Sequence, residues 1–344
     1  MIDLIGHGAL AGELKSLATS PAPPHAMLVQ GPESTGKRPL VRLYAMLLNC
    51  LEREKRQPSD LPCGECRPCR LIASGNHADY VEVGIGETLC RPRPGAGDHS
   101  HETTRNILIC QVRGLIDMVS RFPLEAAVRV AVIEPAEKLT LDAQNALLKV
   151  LEEPPDRTAI VLVTAAPQDL LETIVSRCRR VDVRPVPRAE IESALLGRGI
   201  EAGIAARSAE QARGRPGIAL ALARQPDLLD DRERLLHRCA EIAAAPISRR
   251  FEHAQDLARR WRSDPQGVLK ELGAWEEFWE IALREAAVSG AAESIPAARA
   301  LQAIAACRDD LLFNVIPQAT LERMVLGFPR RTLEPQRAEE LQNV

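Results

Sequence analysis

Three cysteines stand at two-residue intervals in Cys63-Gly64-Glu65-Cys66-Arg67-Pro68-Cys69. This spacing makes a tight turn whose backbone N–H groups face the sulfurs, the geometry of a tetrahedral zinc site. A fourth ligand is required, and Cys50 is the leading candidate, with Cys90 and His77 as alternatives. Four thiolates without histidine describe a closed structural zinc module over about residues 50–69, with an iron–sulfur cluster as the other option. Cys110, Cys239 and Cys307 read as small buried apolar residues.

A second chemical signal lies upstream, in Gly31-Pro32-Glu33-Ser34-Thr35-Gly36-Lys37-Arg38. Between a strand and a helix, such a run is a phosphate-binding loop: Gly31 and Gly36 permit the tight wrap, backbone N–H groups face the phosphates, and Lys37 reaches the outer ones. The complete pattern ends in Ser or Thr, whose hydroxyl holds magnesium. Arg38 has no acceptor oxygen and carries a charge that opposes the metal's. The plainer alternative is an inert glycine turn with a surface lysine. Nucleotide hydrolases of this kind also carry two acidic residues after a later strand, one for the metal and one to orient water. This chain has Glu134 and then Pro135, which cannot polarise water. Glu134 serves either as the metal carboxylate or as a cap on the following turn. ATP binding is therefore doubtful and hydrolysis is expected to be lost.

The elements that position these groups follow from periodicity. Strands are expected at 26–29, 80–83, 128–133, 159–163 and 181–183, alternating with helical patterns. Ala143, Ala146, Leu147, Val150 and Leu151 share one helical face, and Pro154-Pro155 ends that helix. Such alternation predicts an α/β fold with a parallel sheet covered on both faces. After Pro185 strand signals vanish, and breakers at Gly197–Gly199, Gly214–Gly217, Pro246 and Pro265 divide a helical remainder. Trp275, Phe278 and Trp279 fall at i, i+3 and i+4 and read as core or interface packing. Residues 91–102 form a Pro/Gly-rich surface loop containing His99 and His101.

Composition narrows the function class. The chain has 344 residues, 47 acidic and 44 basic, a net charge of −3, and is 45% apolar. That excludes a disordered chain and one that coats nucleic acid by bulk charge. No apolar run approaches the ~20 residues of a membrane span, no secretory signal pattern opens the sequence, and a cytoplasmic protein without membrane contact is expected.

The run from Arg129-Val130-Ala131-Val132-Ile133-Glu134-Pro135 through Asn145-Ala146-Leu147-Leu148-Lys149 to Glu152-Glu153-Pro154-Pro155 resembles the bacterial DNA polymerase III clamp-loader subunits, of the AAA+ class. Ile5-Gly6-His7, Pro24-His25-Ala26 and the cysteine module agree with this, over about residues 1–220. In the terms of that resemblance, Val161-Leu162-Val163-Thr164 is similar to the sensor-1 strand, Thr164 either sensing γ-phosphate or merely completing the strand. Ser176-Arg177-Cys178 is similar to the family's signature tripeptide. Arg38, Pro135 and Gly217, which stands where the motor's sensor-2 arginine falls, depart from the ATP-hydrolysing gamma/tau pattern and point to the delta-prime type.

The resemblance implies a stator that lends Arg177 as an arginine finger to a neighbouring subunit's ATP. Arg177 follows a helix expected at about 168–176 and would lie at a domain edge; on its own it would read as a surface charge. The implied partners are the gamma/tau and delta subunits, the sliding clamp and primed DNA. The implied domains are a nucleotide-binding-like domain at 1–185, a helical lid at 186–227, a helical collar at 228–330 and a flexible tail at 331–344. Two rivals remain: an active motor recovering a metal ligand from Ser34 or Thr35, and a zinc-dependent DNA-binding module using Arg53, Lys55, Arg56, Arg67 and Arg70.

Overall fold

The computed structural model describes residues 4–86, 89–90, 101, 104–289, 294–312 and 315–329. The expected loop at 91–102, His101 apart, and the tail at 331–344 lie outside the described residues. The chain forms two compact units, the first ending at Arg224 and the second beginning at Gln225.

The first unit runs α1 (Gly8–Thr19), β1 (Ala26–Gln30), α2 (Lys37–Asn49), α3 (Arg67–Ser74), β2 (Tyr80–Val83), α4 (Ile109–Val119), β3 (Arg129–Ile133), α5 (Leu141–Glu152), β4 (Thr158–Thr164), α6 (Glu172–Val175) and β5 (Arg179–Asp182). Three further helices follow, α7 (Arg188–Leu196), α8 (Ala202–Ala212) and α9 (Pro216–Arg224). The strands make one parallel sheet in the order β2-β3-β4-β1-β5. Successive strand residues face opposite sides. Met27, Val29, Val161 and Val163 therefore pack against α2 residues such as Leu40 and Tyr44. Ala26, Leu28, Ile160 and Leu162 pack against Val112 and Leu115 of α4 and Leu147 and Leu151 of α5. Because both faces are covered, the interiors of β1, β3 and β4 are apolar on both sides, as expected for buried parallel strands. α7 to α9 close a smaller core of their own around Ile191, Leu195, Ala205 and Ala219.

Helix α5 begins at Thr140, whose hydroxyl accepts the Ala143 N–H, and ends at Glu152 just before the two prolines. The helix expected at 168–176 is broken. A 3-10 turn at Pro167–Asp169 precedes the four-residue α6. The cause is Gln144 of α5: its amide donates to the Asp169 carbonyl (3.2 Å) and its oxygen accepts the Leu171 N–H (2.8 Å). Backbone groups that would have continued a helix are spent on this side chain.

The second unit consists of α10 (Pro226–Ala244), α11 (Ile247–Trp261), α12 (Pro265–Ser289), α13 (Ser294–Leu312) and α14 (Pro317–Leu326). Trp275, Phe278 and Trp279 are all buried in its core, with the Trp275 and Phe328 rings 4.7 Å apart. Among the described residues, no helix is long and apolar enough to cross a membrane.

Candidate functional site

The phosphate loop leaves the C-terminal end of β1, between β4 and β5, and enters α2. That end of an open parallel sheet is where such folds take their ligands. Gly31 is required there by space and by backbone: its φ is +150°, and a Cβ would stand 2.1 Å from the Val183 carbonyl oxygen. The loop borders a cavity of about 450 Å³ also lined by Glu134, Glu137, Thr164 and Gly217.

The interior of this site is already spoken for. Lys37 Nζ donates to the carbonyls of Gly31 (2.6 Å) and Pro32 (2.7 Å), and burial pushes its pKa below the usual lysine range. Arg38 Nε donates to Glu134 Oε2, and this hydrogen bond holds the guanidinium firmly charged. The arginine thus sits on the carboxylate that would otherwise face a metal ion. Thr35 is fully buried and its hydroxyl donates to the Pro32 carbonyl, 2.7 Å away. Thr164 Oγ1 accepts the Ala166 N–H at 3.0 Å, closing its own turn at the end of β4.

From α9, the Gly217 N–H donates to the Ser34 carbonyl at 2.9 Å. A Cβ at Gly217 would meet Ser34 at 3.1–3.2 Å, tighter than ordinary contact, so a larger residue there would push the two segments apart by a few tenths of an ångström. Magnesium chemistry does not fit this arrangement. The loop offers no free hydroxyl at position 38, Pro135 offers no acid, and Glu134 is neutralised by Arg38. For Lys37 to reach a phosphate it would have to exchange the Gly31 and Pro32 carbonyls for phosphate oxygens.

Arg177 lies between α6 and β5, apart from that cavity. Its guanidinium donates to the Thr173 carbonyl (2.8 Å) and to Glu152 Oε1 (2.5 Å), while 34% of the side chain remains exposed. Neighbouring Cys178 is buried, and burial raises its thiol to about 11, which makes it a packing residue.

The cysteine module hangs from the far end of α2. Cys50 is the residue that ends α2, and Cys69 lies in α3. The sulfurs of Cys50, Cys63, Cys66 and Cys69 all lie within 4.8 Å of one another. The Cys63 N–H points at Cys50 Sγ (3.5 Å), the Cys66 N–H points at Cys63 Sγ (3.3 Å), and Cys63 and Cys69 sulfurs are 3.9 Å apart. Tetrahedral zinc with Zn–S of ~2.3 Å places its sulfurs roughly 3.8 Å apart, so the four residues fit such an ion. Burial opposes ionisation of Cys63, yet the N–H groups of Cys66 and Glu65 outweigh it and hold that thiol at about 7.

The two alternative ligands stand elsewhere. The His77 Nδ1 accepts the Asp79 N–H, and Cys90 groups with His101 and Cys110. Cys110 is buried, as expected. Of the basic residues around the module, Arg53 donates to the Ala18 carbonyl, while Lys55, Arg56 and Arg67 pair with Glu52, Glu65 and Glu125.

One buried group escaped sequence reading. Asp79, just before β2, accepts from the N–H groups of Leu124, Glu125 and Ala126 and from Arg129 Nε and Nη2 (2.7–3.0 Å). Arg129 also donates to the carbonyls of Met118, Arg121 and Phe122. The available signal was a lone arginine opening an otherwise apolar strand. Burial would raise the Asp79 carboxyl, but the backbone N–H groups and Arg129 outweigh it and hold it at about 2.

Fold and site together define a parallel-sheet α/β domain with a glycine-rich strand-to-helix loop, an arginine paired with the carboxylate opposite it, and a four-cysteine module at the end of the following helix. The model of the family described as DNA polymerase III, delta subunit, matches residues 6–187, more than half of the chain, and the chain belongs to that family. It is 35% identical over 176 residues to the DNA polymerase III subunit delta' of Pseudomonas aeruginosa, covering 51% of this chain and 48% of that protein. It is 29% identical over 196 residues to the subunit tau of Bacillus subtilis, covering 57% of this chain and 30% of the relative. The chain thus spans about half the length of the first relative and less of the second. A solved DNA polymerase III gamma subunit-related protein from Thermotoga maritima covers 92% of this chain and 97% of its own, at a TM-score of 0.43 and 17% identity, a likeness too loose to carry argument.

Proposed function

We propose that this chain is a delta-prime-type clamp-loader subunit, a stator that does not hydrolyse ATP itself. It works in the cytoplasm with gamma/tau and delta subunits to place the sliding clamp on primed DNA. The observation that carries the reading is Arg38 seated on Glu134, a guanidinium where a magnesium ion would sit. Gly217 against Ser34, and Pro135 in place of a second acid, point the same way.

Its contribution to catalysis is Arg177. Phosphoryl transfer spreads charge over the γ-phosphate oxygens, and a guanidinium supplied in trans stabilises it. The pair with Glu152 is half-exposed and of the kind worth only ~0–1 kcal/mol, so a phosphate can displace the carboxylate. Cys50, Cys63, Cys66 and Cys69 hold structural zinc in this reading, residues 186–227 serve as lid and residues 228–330 as collar. The motor alternative, with ATP turned over at Lys37, would need a metal ligand recovered from the loop, and the Thr35 hydroxyl is already spent on the Pro32 carbonyl.

The test is DNA- and clamp-stimulated ATP hydrolysis by the reconstituted loader. Arg177→Ala is expected to cut turnover at least tenfold while Lys37→Ala in this subunit leaves it near normal. Equal damage from Lys37→Ala would make this chain a motor and overturn the proposal.

A further inference from the structure

Cys90, His101 and Cys110 come from three separate places in the chain, yet their ligand atoms all lie within 4.8 Å of one another. We infer that these three residues form a second metal site, for a zinc-class divalent ion, independent of the four-cysteine module. Zn–S of ~2.3 Å and Zn–N of ~2.0–2.1 Å at tetrahedral angles put sulfur and nitrogen roughly 3.6 Å apart. The Cys110 sulfur and His101 Nε2 are separated by 3.6 Å.

Each ligand is anchored by contacts that do not involve the others. Cys110 is the second residue of α4, whose start is fixed by Gln111: its side-chain oxygen accepts the Leu108 N–H (2.9 Å) and its amide donates to the Gly84 carbonyl beyond β2 (3.1 Å). Cys90 is delivered by Leu89, which lies on α4 one turn further along. A Cβ at Gly114 would stand 3.1 Å from the Leu89 carbonyl oxygen, so the backbone of Leu89 packs closely on α4 where no side chain intervenes. His101 is held through its carbonyl, which accepts the Thr104 N–H (3.2 Å) and hydroxyl (2.9 Å). Cys110 and His101 are both buried, at 7% exposure each, and Cys90 is half-buried.

Two thiolates and an imidazole are a soft donor set that selects zinc-class ions over magnesium or calcium. Three protein ligands leave the fourth position to solvent, unlike the closed four-thiolate module. Binding would clip the chain before and after residues 91–100 to the first turn of α4.

The experiment measures zinc by elemental analysis on the full-length chain purified under reductant. The expected content is two zinc per wild-type chain, one in Cys90→Ser/Cys110→Ser and one in Cys63→Ser/Cys66→Ser. Because Cys110 is buried and its serine variant can misfold, His101→Gln provides a second arm. A folded His101→Gln chain should lose the second zinc to a competing chelator at least tenfold more readily than wild type. One zinc in the wild type, retention of both by Cys90→Ser/Cys110→Ser, unchanged chelator resistance in His101→Gln, or a Cys90–Cys110 disulfide in place of the metal would each overturn the assignment.

Discussion

Replacing Asp79 by asparagine tests how the first unit is held together near its edge strand. Both side chains of the Asp79–Arg129 pair are buried, at 0% and 4% exposure. The substitution removes the charge facing the guanidinium and turns an amide NH2 toward a cluster of N–H donors. Breaking a buried pair from one side typically costs about 3–5 kcal/mol, because the remaining charge is left uncompensated. Part of this can be worked from the carboxyl itself. The drop from its ordinary 3.8 to about 2 corresponds to about 2 kcal/mol of stability. That share is fully present above pH ~4 and is lost as pH falls through about 2, since only there does the folded state take up the proton.

Urea unfolding should therefore show the variant about 3–5 kcal/mol less stable at pH 7, with the gap narrowing by about 2 kcal/mol near pH 2. Far-UV circular dichroism is the suitable probe, because all three tryptophans, Trp261, Trp275 and Trp279, lie in the second unit. Asp79→Asn/Arg129→Met, which removes both charges, should recover part of the loss. A single-variant loss under about 1 kcal/mol, or a double variant no more stable than the single, would refute the account.

Arg38→Thr gives the phosphate loop a hydroxyl and frees Glu134, so magnesium-dependent ATP binding is expected to tighten about tenfold, a gain of ~1.4 kcal/mol. Hydrolysis should stay absent because Pro135 supplies no second acid; fluorescent-nucleotide titration with and without magnesium reads the first effect. Gly31→Ala forces a Cβ against the Val183 carbonyl in a backbone conformation that alanine resists, and should cost about 3 kcal/mol by thermal or urea denaturation. An alanine variant within about 0.5 kcal/mol of wild type would mean the loop relaxes without strain.

Much of this protein was legible before its structure. Apolar runs fixed by period placed all five strands to within two residues, and paired prolines ended α5, because those signals act locally along the chain. Cysteine spacing likewise singled out Cys63, Cys66 and Cys69, and Cys50, the leading of three candidates for a fourth ligand, has its sulfur within 4.8 Å of theirs. The break in the expected helix at 168–176 was not legible, since it depends on Gln144 of a different helix reaching two backbone groups.

Residue identity alone declared the degenerate chemistry: arginine offers no metal ligand and proline no acid, wherever they sit. That Arg38 turns back onto Glu134, 96 positions away, was decided by the parallel order that sets β3 near β1 with β4 between them. The same long-range assembly buried Asp79 on Arg129 and gathered Cys90, His101 and Cys110. Sequence spacing carries short-range geometry, whereas charge pairing and ligand clustering are settled by which segments the sheet and its helices bring into contact.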